Sequence, residues 1–268
     1  MPRVATQTGD PLQLLQLMWA PATKVGRTGM TVRALTEASI DLADAEGLEA
    51  LTMRAVAQQV GIGAMTLYGY VPGKAELVEL MLDQLAGITY DGHDLPAARE
   101  GWREGLRHVA DRNYAHTLDH AWVAGIAPAR PVLGPGNCLK YEAELAPLDG
   151  IGLSDHEMEH ALTTVLGMTT AAVRWQLGLQ RVRTDSHLSD EQWWALSQPV
   201  LGAAMEGMDL PISSRVGQAT ASAGNPHASL QAGLDLFLDG LSQRLQMVTD
   251  DDASAAHRTL GANHNHAT

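Results

Sequence analysis

The sequence predicts an all-α protein, with an N-terminal helix-turn-helix unit followed by a larger C-terminal helical domain. Three observations carry this. From residue 31 onward, apolar residues recur at three- and four-residue spacing. The sequence shows no sustained alternating runs and few clusters of β-branched residues, the usual marks of strands. Breaks fall at Gly and Pro, at Gly61-Ile62-Gly63, at Pro72-Gly73 and in the stretch 127–136.

The elements follow in order. Residues 1–30 read as a flexible N-terminal arm. Within it, an apolar cluster from Leu12 to Trp19, closed by Pro21, is expected to form a short helix packing on the body. Lys24, Arg27 and neighbouring glycines read as a basic lead-in. Thr31 is a good N-cap for a helix carrying Val32, Leu35, Ile40 and Ala43, which Gly47 stops. Thr52 caps a second helix with Ala55, Val56 and Val60 on one face. After the glycine turn, Ala64 to Val71 is a third, short helix, and Lys74 to Leu85 a fourth. Residues 31–88 are therefore one small domain.

Residues 89–248 read as a second helical domain, with helices over 96–117, 137–148, 154–181, 189–207 and 226–247 and a further break at 209–226. The last helix carries Leu230, Leu234, Phe237, Leu238, Leu241 and Leu245. With 154–181, it is expected to form a face that pairs with a second copy. The polar stretch 249–268, with Asp250–Asp252, reads as a disordered tail.

Composition narrows the function classes. The net charge of -13 argues against nucleic acid at first sight. However, residues 1–75 hold six basic and six acidic side chains, so the excess lies entirely in the remainder. A neutral head on an acidic body is compatible with a head that meets phosphate. Cys138 is the only cysteine, which excludes an internal disulfide framework and a cysteine zinc site and fits a reducing, cytoplasmic setting. No signal-peptide pattern and no long uncharged apolar window is read, so no membrane association is expected. There is no Gly-x-Ser-x-Gly elbow, phosphate loop or zinc-protease motif, so an enzyme is not expected. His116 and His120 are four apart, as are His156 and His160, but no third ligand follows at diagnostic spacing. No metal and no cofactor is assigned.

Two helices joined by a glycine turn can place the second in the roughly 12 Å wide major groove of DNA, while the first crosses the phosphate backbone. Such a second helix must be short and project polar groups. Residues 64–70 offer Thr66, Tyr68 and Tyr70, with Leu67 as the one core anchor. The residue run raises the specificity of this reading. From Leu42 to Leu77, and above all in Gly63, Thr66-Leu67-Tyr68, Val71, Lys74 and Leu77, the sequence resembles the DNA-binding domain of the TetR family of repressors over about 31–86. His116, Trp122-Val123, Arg130-Pro131, Leu133-Gly134-Pro135, Glu142, Leu145 and Gly152-Leu153-Ser154 are similar, more loosely, to the subgroup with a tetracycline-repressor-like C-terminal domain.

The resemblance implies a ligand-responsive repressor, acting as a homodimer on double-stranded, palindromic operator DNA. Thr31, Thr52, Arg54 and Lys74 fall where the family meets phosphate, and Ala64, Met65, Thr66, Tyr68, Gly69 and Tyr70 on the recognition helix. Gly69 and Tyr70 depart from the larger aromatic or basic residue and the His common there, so side-chain base readout is thin. The body is expected to hold a small-molecule effector, polycyclic or amphipathic, such as a natural product or antibiotic. Candidate pocket residues are Trp102, Asn113, Tyr114, His116, Trp122, Asn137, Tyr141, Thr164, Met168 and Trp175. The helix 73–86 is the expected hinge. A regulator of the same fold without an effector, and a helical ligand carrier or enzyme, remain as alternatives.

Overall fold

The computed structural model describes residues 11–264, except 28, 91, 93, 127–129 and 223, with side chains over 12–247. Eleven α-helices are described: α1 (Pro11–Met18), α2 (Val32–Glu46), α3 (Met53–Gln59), α4 (Ala64–Tyr68), α5 (Lys74–Gly87), α6 (Gly101–Asp119), α7 (Pro135–Leu145), α8 (Asp155–Ser186), α9 (Asp190–Ala204), α10 (Pro211–Thr220) and α11 (Pro226–His264). Short 3-10 turns sit at Pro96–Ala98, Ala121–Gly125 and Ala146–Leu148. Among the described residues the only extended pairing is an isolated bridge between Lys24 and Thr31.

The first five helices form the head. Thr31 and Thr52 cap α2 and α3, their hydroxyls accepting from the amides of Ala34 (3.2 Å) and Ala55 (3.1 Å). Gly47 ends α2 with φ 83°, a left-handed value that glycine adopts without strain. Val32, Leu35, Leu51, Val56, Leu67, Leu77 and Met81 meet in one core. Leu14 and Met18 of α1 join it, and Val25 is fully buried. The segment expected as a free arm, with its short helix packing on the body, is instead part of the head. The cause is its apolar face, which finds α5, while Trp19 at its end reaches the body at the Leu133 carbonyl.

In the body, α6, α8 and α11 pack together around Leu106, Val109, Leu162, Val165, Leu234 and Leu238. A second cluster joins Tyr114, Val173, Leu177 and Leu230. The leucine stripe of α11, expected to face a partner, therefore packs largely inside the chain. Polar pairs hold α11 along its length: Gln231 donates to Asp111 (2.8 Å), Arg103 to Asp239 (2.7 Å) and Arg244 to Glu157 (3.0 Å), while Arg107 pairs with Asp235. Where a disordered tail is expected from 249, the backbone stays helical through His264. Ala253, Ala255 and Ala256, good helix formers, lie in that stretch.

Helices α9 and α10 form an arm without a single buried residue. A capping box (Ser189 with Gln192) starts α9, and Arg183 at the end of α8 clasps Asp190 (2.9 Å). Helix α10 lies where the sequence reads only a break, because Pro211 is tolerated in a first turn.

Candidate nucleic-acid interface and ligand domain

Helices α3 and α4, joined by Val60–Gly63, form the helix-turn-helix. Leu67 is fully buried and fixes α4 against the head core. Ala64 and Tyr70 lean on that core, half-buried. Met65 and Tyr68 point outward, 83% and 48% exposed, beside the exposed Gly69. Thr66 is half-buried, and a Cβ on Gly26 would lie 3.2 Å from its methyl, so the segment before α2 folds back onto α4. Arg54 projects from α3 into solvent. The outward surface of α4 thus reduces to Met65, Tyr68, part of Thr66 and the bare backbone at Gly69.

Lys74 is less free than the sequence suggests. Its ammonium donates to the Leu48 carbonyl at 2.5 Å, tying α5 to the loop between α2 and α3. Burial holds its pKa below the ordinary lysine value, opposed by the carboxylate of Glu49. An ammonium carries three donors, so this bond uses one of them.

The ten candidate pocket residues do not form one cluster. Trp102 and Met168 border the first body cluster, and Met168 and Tyr114 the second. Tyr114 meets His227 edge-on at 5.1 Å. Asn113 belongs to a polar knot. The carboxylate of Glu144, 1% exposed, accepts from Asn113 (2.6 Å), Lys140 (2.6 Å) and the Tyr90 hydroxyl (2.9 Å). Burial and the neighbouring Glu144 push the Tyr90 phenol far up, so it stays a donor. Thr164 turns back on its own helix, donating to the His160 carbonyl, and Tyr141 donates to Glu159. Trp175, 42% exposed, covers Gly224.

His116, Trp122 and Asn137 lie at the seam between head and body. The Trp122 indole donates to Asp44 of α2 (2.7 Å), which also meets His120 (2.8 Å). His116 hydrogen-bonds the Leu85 backbone and stacks edge-on with His120 at 5.0 Å. Desolvation, then the charge of His120, brings its pKa down to about 4, and its Nε2 is buried without a partner. The amide of Asn137 donates to Asp83 of α5 at 2.9 Å. Gly134 and Gly136 let α7 touch α5 directly: a Cβ on Gly136 would lie 1.9 Å from the Asp83 carbonyl oxygen. Trp19 adds a bond to the Leu133 carbonyl (3.0 Å).

Sequence reasoning did not single out Asp44, Asp83, Lys140 or Glu144. The signal was present in Gly134-Pro135-Gly136, but it reads equally well as a simple break. Among the described residues no group of three or more potential metal ligands converges, and no helix is long and apolar enough to cross a membrane.

A short helix exposing Met65 and Tyr68, braced by a capped support helix and joined to a helical body, is the arrangement of a helix-turn-helix DNA-binding regulator. The comparisons narrow the class. "Bacterial regulatory proteins, tetR family" matches residues 35–81, and "Tetracyclin repressor-like, C-terminal domain" matches residues 95–245. The chain belongs to the TetR family. It is 33% identical to the HTH-type transcriptional repressor DrrR1 of Streptomyces coeruleorubidus, over 87% of this chain and 86% of that protein. It is 25% identical to the class C tetracycline repressor protein of Escherichia coli, over 81% and 93%. Its fold is similar to that of ActR from Streptomyces coelicolor, solved in complex with actinorhodin (TM-score 0.64, 22% identity, 80% of this chain and 96% of that one).

Proposed function

We propose that the protein is a cytoplasmic repressor, that two copies bind a palindromic operator, and that a small polycyclic or amphipathic effector in the body releases it. The observation that carries this reading is the seam. Asp83, Gly136, Asp44 and Trp122 join head to body through backbone contact and half-buried hydrogen bonds, so a shift of α6 or α7 reaches α5 and the recognition helix. The repressor name of the relative at 33% identity and the ligand bound to ActR support the same direction. Thr31, Thr52, Arg54 and Lys74 are assigned to phosphates. Ala64, Met65, Thr66, Tyr68, Gly69 and Tyr70 are assigned to the groove, where Met65 favours a thymine methyl and Tyr68 a hydrogen-bonding edge. Trp102, Tyr114 and Met168 are assigned to the effector: Met168 borders both body clusters, Trp102 the first, and Tyr114 belongs to the second.

Pairing is assigned to the outer faces of α8 and α11 and to the α9–α10 arm. Leu196, Val200 and Ile212 stand well exposed on that arm, and Trp193 is partly exposed beside them. The test is selection of bound DNA from a random pool, then a gel-shift titration with candidate natural products. Two-fold symmetric sites with half-sites about 34–36 Å apart are expected, with binding lost at saturating effector. Selection of asymmetric sites overturns the operator reading. Unchanged affinity across a broad effector panel overturns the release mechanism.

A further inference from the structure

A cleft of about 440 Å³ runs between head and body. None of the ten candidate effector residues lines it. Its volume falls within the roughly 300–1,000 Å³ range of small-molecule sites. The inner wall is apolar, with Leu80 and Leu85 of α5 from the head core. Two large apolar side chains, Ile88 and Leu139, stand at it 58% and 69% exposed, which costs hydration unless something covers them.

The outer wall is one face of α2. Glu37 and Asp41 are one turn apart, so both carboxylates lie on that face, and among the described residues neither has a hydrogen-bonding or ionic partner. Asp44 and Asp83 also line the cleft but are already engaged by Trp122 and His120, and by Asn137. The one cationic side chain of the lining that is always charged is Arg33, which offsets one of the two free carboxylates.

We infer that this cleft binds a cationic amphiphile, an organic ammonium or amidinium carried on a compact apolar body, at a site separate from the effector site of the body. The cation sits between Glu37 and Asp41. The apolar part covers Ile88 and Leu139. Because the occupant touches α2 on one side and α7 on the other, its presence wedges the seam and bears on how the head is held.

Fluorescence anisotropy of the full chain tests this without DNA, so its outcome is independent of the repressor reading. Rhodamine 6G serves as the cationic probe and fluorescein as an anionic probe of similar size. Saturable rhodamine 6G binding is expected, weakened about tenfold in the double variant Glu37→Gln, Asp41→Asn, as two exposed charges warrant. Leu139→Arg, also at an exposed position, is expected to abolish it, with thermal midpoints of both variants unchanged. Absence of rhodamine 6G binding, equal affinity of wild type and double variant, or fluorescein binding that the same variants weaken would each overturn the assignment. Rhodamine 6G binding that vanishes as protein concentration rises would assign the cleft to a second copy and overturn it as well.

Discussion

Asp83 caps a helix to which it does not belong. Its carboxylate, on α5 of the head, accepts the amide of Asn137 at 2.9 Å in the first turn of α7, whose own N-cap is the side-chain-less Gly134. Replacement by Ala removes the cap and strands a half-buried amide. A loss of about 1–3 kcal/mol is expected in denaturant unfolding. In the proposed repressor the same variant blunts the response to effector more than it weakens operator binding, read by gel shift. Wild-type stability in Asp83→Ala would show that the cap is idle.

Glu144 is a buried charge with three donors. Glu144→Leu leaves the Lys140 ammonium without its counter-ion, and a cost of about 3–5 kcal/mol is expected. Removing both, as Glu144→Leu with Lys140→Met, is expected to cost much less than the single change. A double-mutant cycle by urea unfolding checks this, and additive losses would contradict it.

His116 makes stability depend on acid. Its folded pKa is about 4, below the ordinary value near 6.5, because burial disfavours the imidazolium. The unfolded chain thus binds a proton that the folded chain does not between pH about 6.5 and 4. Stability is fully present above that window and falls as pH drops through it. His116→Gln is expected to flatten the dependence of the thermal midpoint on pH in that interval. An unchanged profile would place the acid sensitivity elsewhere.

Within the head, affinity and stability separate by residue. Tyr68→Ala and Met65→Ala remove exposed groups and are expected to weaken operator binding with the melting point preserved. Arg54→Ala is expected to lower the salt dependence of binding by about one unit of slope. Leu67→Ala does the reverse, costing about 2–5 kcal/mol of stability through the cavity it leaves.

The arm makes a prediction about assembly. Leu196→Asp and Ile212→Asp alter side chains 63% and 69% exposed, so the single chain is expected to fold normally. Sedimentation velocity should show the proposed dimer weakened in both, whereas unaltered dimers would confine pairing to α8 and α11.

The head was readable because its signals are local. Thr31, Gly47 and Thr52 set helix ends through bonds to their own neighbours, and Leu67 is the one core anchor of the short α4. The seam was not readable, for a physical reason. Asp83 looks like any acid on an amphipathic helix, and only the approach of a distant backbone makes it a cap. The stripe of α11 shows the same limit. Its period announces a buried face, but a buried face of the chain and a face buried by a partner have the same pattern. The candidate pocket residues were chosen by type, and type does not tell a tryptophan that guards a glycine, such as Trp175, from one that lines a cavity.

The glycine at 136 has a mechanical consequence. A side chain between two helices is a spring, since it can change rotamer and absorb a displacement. Here nothing intervenes: the backbone of α7 rests on the backbone of α5 near its C-terminal end, while the recognition helix adjoins the other end, a lever about 20 Å long. In the proposed repressor, a shift of α7 is passed to α5 without slack. On that reading the effector chamber can be relined for new chemicals while this bearing stays the same.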